Sequence, residues 1–253
     1  MSTAAASPSN WFEHGGSDYA RFRPQYPPAL AAFLASLAPA RRLAVDVGCG
    51  SGQLTHLLAA HFDAVLGVDS SADQLANAAA DARISWLCAP AEQLPLADRS
   101  ADLIAAAQAA HWFDLPAFYR EVRRIAAPGA VVALVSYGVL TLDAALDARF
   151  QRFYRDGIGP FWPAERALVD SGYATLAFPF EEFVAPGLEI RLEWTLAEFL
   201  GYVGTWSAVR RARDAGQGGL LEGFADELAA AWGDAGQRRA IVWPIRMRVG
   251  KVG

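Results

Sequence analysis

Lysine is almost missing from this chain: Lys251 is the single one, and the other basic residues are arginine. Cysteine is nearly as rare. Cys49 and Cys88 stand alone with no CxxC spacing, which argues against a disulfide framework and fits a reducing, cytoplasmic setting. His14, His56 and His61 have no metal-ligand spacing with cysteines or carboxylates, so no metal site is expected. A basic excess is also lacking, because 27 acidic residues outnumber 22 basic ones for a net charge of −5. That balance, spread evenly with no charged tail, gives no footprint for nucleic acid. The opening MSTAAASPSN has neither a basic n-region nor an apolar h-region, so no signal peptide is expected. The uncharged run 125–142 reaches the lower length limit of a membrane span. Pro128-Gly129 breaks it, and AVVALVSY reads better as one buried strand, so no membrane association is expected.

What is present is an ordinary globular composition, 53% hydrophobic and 19% charged over 253 residues. Short apolar runs alternate with helical ones. RRLAVDVG (41–48), AVLGVD (64–69), ISWLCA (84–89), ADLIAAA (101–107) and AVVALVS (130–136) read as strands. LTHLLAAH (54–61), SSADQLANAAADA (70–82) and DLPAFYREVRRIAAPG (114–129) read as the helices between them. Ser71 and Gln74 have the spacing of a capping box, Asp114 can cap its helix, and Pro128-Gly129 is its expected end. Apolar strands separated by helices predict a parallel sheet covered on both faces. Beyond Tyr137, LAFPFEEFV and LEIRLEWT look like short strands, and RAIVWPIRMRVGKV (239–252) is a late strand. Pro244 within it points to a place near an edge. Helices are expected over 142–156 and 196–214. The expected fold is therefore α/β: a doubly wound, mostly parallel, seven-stranded Rossmann-like sheet with antiparallel late strands and a helical lid. The expected divisions are an N-terminal cover and first helix (1–40), a ligand-binding core (41–137), and lid helices with the last strands (138–253), integral to one domain.

In such a sheet, ligands lie beyond the carboxyl ends of the strands, near the switch point. There, DVGCGSGQLT (46–55) packs Gly48, Gly50 and Gly52 into five residues behind the first strand. Glycine loses more backbone freedom on folding than any other residue, so the cluster implies close approach of a ligand or a tight turn. A phosphate-binding P-loop would end in Gly-Lys-Ser/Thr, which is absent. A dinucleotide fingerprint needs GxGxxG, whereas the spacing here is GxGxG with Gln53 in the third place, and this also argues against a nicotinamide oxidoreductase. Asp69, closing the second strand, suits the two hydroxyls of a ribose, although it can also simply cap the next helix. Asp46, before the loop, suits a cationic group rather than a phosphate. A ribose and an ammonium without phosphates describe S-adenosylmethionine.

DVGCGSGQLT followed by GVDSS resembles the cofactor motifs of class I S-adenosylmethionine-dependent methyltransferases. APAEQLPLADRSADLIAAAQAAHWFD (89–114) resembles their type 11 group. YARFRPQYPPAL (19–30), QAAHWFD (108–114) and WTLAEFLGYVGTWSAVRR (194–211) resemble trans-aconitate methyltransferase-like proteins. The resemblance implies that Asp46 and the loop glycines line the methionine part of the cofactor. It also implies that Asp69 holds the ribose, and that Ser70 and Gln74 flank the adenine. The family's adenine-binding aspartate is replaced here by alanine, leaving the Ala91 amide to meet the ring and Glu92 as the acceptor candidate. Gln108 matches a position whose backbone lies near the methionine amine or methyl group.

His111 and Trp112 follow the fourth strand, where such an enzyme meets its acceptor. As a structural pair they can plug the sheet's end; functionally, His111 can act as a base, and the Trp112 face can attract a sulfonium. Tyr19, Arg23, Tyr202, Trp206 and Arg210 are acceptor-pocket candidates on the expected covers, with Tyr202 and Trp206 equally suited to lid core. Cys49 reads as a small buried hydrophobe. A carboxylate acceptor needs no base, only orientation, for which Arg23 or Arg210 would serve. A phenol, amine or carbon acid would need His111. The acidic balance, together with the absence of an NPPY-type turn, favours a small-molecule acceptor over nucleic acid. A non-catalytic S-adenosylmethionine-binding protein stays open, since fold and loop do not prove turnover.

Overall fold

The computed structural model describes residues 24–253. Tyr19, Arg23 and most of the expected N-terminal cover lie outside the described residues.

The chain divides into two compact units, and two strands pass from one into the other. One unit combines 25–139, 165–190 and 244–253. It opens with α1, Pro28–Leu37, where proline at the first position has a φ already suited to the helix. Leu30, Ala31, Leu34 and Ala35 form its buried stripe.

Five parallel strands follow: β1 (Leu43–Val47), β2 (Ala64–Asp69), β3 (Ile84–Cys88), β4 (Ala101–Ala107) and β5 (Ala126–Tyr137). Between them come α2 (Gln53–Ala59), α3 (Ala72–Ala76) and α4 (Leu115–Ile125). The spatial order is β3-β2-β1-β4-β5, so the winding reverses between β1 and β4, and the glycine loop leaves β1 at that switch point. β4 and β5 are nearly all buried, which is why they read as continuous apolar runs. Asp102 is the exception in β4. Fully buried, it accepts hydrogen bonds from the Arg42 amide (2.9 Å) and from Arg42 Nη2 (2.6 Å), tying the start of β1 to β4.

The sheet has eight strands rather than seven, and the late ones run antiparallel as expected. β8 (Arg239–Lys251) pairs with β5, with the two-residue β6 (Glu181–Glu182), and, off the main path, with β7 (Leu188–Trp194). β8 is thus next to the terminal two-residue β6, near an edge as Pro244 suggested, although it is paired on both sides. Pro244 lies just past the Tyr137–Ile245 pair, where β5 ends, and its carbonyl still accepts the Gly138 amide at 3.1 Å. The missing N–H falls where the ladder has run out.

Three helical expectations are revised in length. α3 stops at Ala76 rather than running to 82: it buries no side chain, and Asn77 Nδ2 bonds back to the Asp73 carbonyl at 2.7 Å. A helix without a packed face has little to sustain it. α4 is capped by Asp114 as expected (Oδ1 to the Ala117 amide, 3.1 Å), but it ends at Ile125 because β5 already begins at Ala126. The expected helix 196–214 is two helices, α7 (Leu196–Gly204) and α8 (Ser207–Asp214), in the other unit. Thr205 Oγ1 donates to the Tyr202 carbonyl at 2.6 Å, and Trp206 turns extended.

That other unit, 140–164 with 191–243, also holds α5 (Ala144–Arg152) and α9 (Gly219–Trp232). Within it, Phe153 stacks on Phe224 at 3.9 Å, and Phe150, Phe199 and Trp232 continue the aromatic core. α9 went unread in the sequence, although Leu221, Phe224, Ala225, Leu228 and Trp232 carry a helical spacing. α6 (Arg166–Asp170) returns to the sheet unit.

Candidate cofactor and acceptor site

The glycine loop is left-handed three times over, with φ of +69° at Gly48, +56° at Gly50 and +92° at Gly52. The reasons differ between the three. A Cβ on Gly48 would stand 2.4 Å from the Ala109 Cβ, and one on Gly52 would stand 2.3 Å from the Trp86 ring. These two glycines make room for the protein's own side chains. A Cβ on Gly50 would meet nothing nearer than the Gln74 amide oxygen at 3.8 Å. Among the described residues, Gly50 alone of the three faces open space, so it is the one that leaves a ligand room. The amides of Gly48 and Cys49 both donate to the Val68 carbonyl, at 2.7 and 3.0 Å, folding the loop back on β2.

Asp69 sits at the end of β2 and holds that loop. One carboxylate oxygen accepts the Gly50 amide at 2.8 Å, and the other accepts the Ser71 amide at 2.8 Å. Ser71, in turn, caps α3 through Gln74 at 3.3 Å. So Asp69 itself does not take the capping role. Each of its oxygens keeps a lone pair for a further donor. Ser70 and Gln74 are both exposed on the same turn.

Asp46 is 1% exposed in the middle of the sheet. Oδ2 accepts the Thr55 hydroxyl at 2.6 Å, whereas Oδ1 is buried with no hydrogen-bond partner among the described residues. Burial pushes its pKa up to about 6, against the lowering effect of the Thr55 hydrogen bonds and with a smaller push from Asp69. A buried carboxylate oxygen with no donor is costly, and it is suited to a cationic donor supplied by a ligand. Cys49 is half-buried, and its thiol pKa is pushed well up by burial and by these two acids, so it is no nucleophile.

Gln108 ends β4 with φ +56°, uncommon for a residue with a side chain, and is held by its amide to Val135 (2.8 Å) and its Nε2 to Tyr137 (3.1 Å). Glu92 Oε1 accepts the Asp114 amide at 2.9 Å, so it serves the start of α4. Ala91 is packed in the core at 8% exposure.

The turn Ala110–Trp112 carries His111, half-buried, and Trp112, 65% exposed, with ring centroids 4.8 Å apart. His111 Nδ1 lies 3.0 Å from the hydroxyl of Tyr173, a residue the sequence reading missed. Burial, followed by the nearby Arg166 charge, lowers the His111 pKa to about 4, with Glu165 opposing. Tyr202, Trp206 and Arg210 belong to the helical unit. There Tyr202 accepts a hydrogen bond from Trp243 Nε1 at 3.2 Å, Trp206 packs edge-on against Tyr154 and Tyr202, and Arg210 is exposed. Among the described residues, no group of three His, Cys, Asp or Glu side chains is placed to hold a metal ion, and no helix is long and apolar enough to cross a membrane.

A family model described as a methyltransferase domain matches residues 45–134, the span of the glycine loop, Asp69 and β4. A Dictyostelium discoideum protein named as a methyltransferase is 31% identical over 239 residues, covering 92% of this chain and 91% of its own length. The chain belongs to the class I S-adenosylmethionine-dependent methyltransferases. A solved structure from Anaeromyxobacter dehalogenans, described as a type II methyltransferase, is 46% identical with a TM-score of 0.86, over 91% of this chain and 98% of that one. A malonyl-[acyl-carrier protein] O-methyltransferase of Dechloromonas aromatica is 36% identical over 114 residues, 44% of this methyltransferase and 42% of its own chain.

Proposed function

We propose that this methyltransferase uses S-adenosylmethionine to O-methylate a small carboxylate. The observation that carries the cofactor half is the orphaned, buried Oδ1 of Asp46 beside a left-handed glycine loop tied to Asp69. The residues fit the group. Asp69 has acceptor capacity for ribose hydroxyls, Asp46 has an unpartnered oxygen for an ammonium, Gly50 leaves space, and Ser70 and Gln74 are exposed where adenine would lie. When bound, the cofactor would supply an electrophilic methyl group on a sulfonium to an acceptor oxygen.

The chain's own work is then to hold the acceptor in line and exclude water. A carboxylate is ionised at neutral pH and needs no base. That suits His111, whose lowered pKa and occupied Nδ1 make it a poor base near neutrality. The trans-aconitate-like stretches 19–30, 108–114 and 194–211 favour the same acceptor class, as does the name of the malonyl-[acyl-carrier protein] relative. The acidic net charge supports a small-molecule acceptor and no nucleic acid, and the low cysteine content supports a cytoplasmic location.

Incubation with methyl-labelled cofactor and a panel of small carboxylates, phenols and amines tests the reading. Label in a carboxylate, with S-adenosylhomocysteine released, is the expected result. Label in phenols or amines alone would point to base-assisted transfer, and binding without turnover on any acceptor would point to a sensor.

A further inference from the structure

Tyr173 is fully buried, and its backbone is left-handed at φ +62°, directly after Gly172 at +67°. A bulky side chain in that conformation is strained and persists only where the surroundings hold it. Its amide donates to the Leu168 carbonyl at 2.9 Å, fixing it to the end of α6. Its hydroxyl reaches His111 Nδ1 at 3.0 Å, across 62 residues of sequence.

Burial raises the Tyr173 pKa, so its hydroxyl keeps its hydrogen at neutral pH. Among the described residues, the hydrogen-bond partner of that hydroxyl is Nδ1, which is therefore the outlet for its single O–H. If Nδ1 carried the hydrogen instead, the buried O–H would be left without an acceptor, which is costly. The hydrogen of a neutral imidazole therefore falls on Nε2. The charged groups facing the ring are Arg166 and Glu165 at the start of α6, with the Trp112 ring at its side. Two residues before His111, Ala109 lies where a Gly48 Cβ would fall, so this turn abuts the glycine loop.

We propose that Tyr173 is a positioning residue that locks His111 in the neutral Nε2–H tautomer, making His111 a hydrogen-bond donor to an anionic acceptor beside the loop. This rests on the carboxylate reading above. One acceptor oxygen would take the Nε2–H while the other stays free to receive the methyl group.

The test uses protein labelled with 15N-histidine, whose four histidines give a simple two-bond proton–nitrogen spectrum, with His111→Phe to assign His111. Near pH 7.5, His111 is expected as Nε2–H with Nδ1 unprotonated. In Tyr173→Phe it should become a mixture of tautomers, while S-adenosylhomocysteine affinity changes less than threefold. With S-adenosylhomocysteine present, trans-aconitate or malonate should shift the His111 Nε2 signal of the wild type.

A wild-type Nδ1–H tautomer or an imidazolium overturns the proposal whether or not Tyr173→Phe folds. An unchanged tautomer in a folded Tyr173→Phe also overturns it. No shift with either carboxylate, while S-adenosylhomocysteine still binds, removes the donor role and leaves the cofactor reading standing. Failure of S-adenosylhomocysteine to bind at all removes both.

Discussion

The Asp69 carboxylate holds the Gly50 amide at 2.8 Å, so the acid assigned to the ribose also sets the backbone of the one loop glycine that faces open space. Cofactor affinity and loop geometry are coupled through that bond. Asp69→Ala should weaken S-adenosylhomocysteine binding by about 2–4 kcal/mol, roughly 30- to 700-fold in Kd by calorimetry. Affinity equal to wild type would mean the ribose lies elsewhere.

The three glycines should separate into two classes. Gly50→Val should lose cofactor binding and lower the Tm only through the strain of a side chain at φ +56°, because its Cβ would meet no described atom nearer than 3.8 Å. Gly52→Ala should instead unfold at lower temperature, since its Cβ would lie 2.3 Å from the Trp86 ring. Trp86→Phe removes the colliding ring atoms and should restore part of the Tm of Gly52→Ala. Equal melting losses for Gly50→Val and Gly52→Ala, with binding intact in both, would reduce the loop to a turn.

Asp46 carries a pH signature. Its folded pKa, raised to about 6 chiefly by burial, lies above the unfolded value. The carboxyl's contribution to stability is therefore largest below about pH 4 and is lost as pH rises through about 6. Asp46→Asn removes that loss, so the ligand-free variant should melt higher than wild type near pH 8, by on the order of 1–3 kcal/mol. The same substitution should weaken S-adenosylhomocysteine, whose ammonium needs the ionised acid. Wild-type affinity should fall as pH drops below about 6. A pH-independent Kd over that range would place the ammonium away from Asp46.

His111 gives the opposite slope. Its folded pKa is lowered to about 4, below the unfolded value, so stability falls as pH drops from about 6.5 toward 4, and His111→Phe should remove that fall. With a carboxylate acceptor, methylation should stay nearly flat from about pH 6 to 8. His111→Phe should keep measurable turnover with a raised KM. A steep limb near neutrality that vanishes in His111→Phe would reassign His111 as a base.

The parts of the site that were legible are those written within short stretches. Asp46, Gly48, Gly50 and Gly52 occupy one loop, and Asp69 closes the next strand, so residue type and spacing alone indicated a ligand end. The roles of individual residues were less legible. Nothing local says that Gly52 makes way for Trp86, or that Gly48 makes way for Ala109. Nor does anything local say that Glu92 accepts the Asp114 amide at the start of α4. Pro244 correctly signalled a place near an edge, but not its position just past the end of the β5 ladder, because the sequence does not say where β5 ends.

By itself the sequence determined the alternation of buried strands and helices, the parallel core with its switch point, and the glycine-and-acid chemistry at that point, since periodicity and loop composition act over a few residues. Only the tertiary structure decided which glycine faces open space, that an Asp46 oxygen is left without a partner, and that Tyr173 meets His111 across 62 positions. Those depend on burial and on contacts between distant segments, and a side chain's surroundings, not its identity, set its hydrogen bonds and its charge.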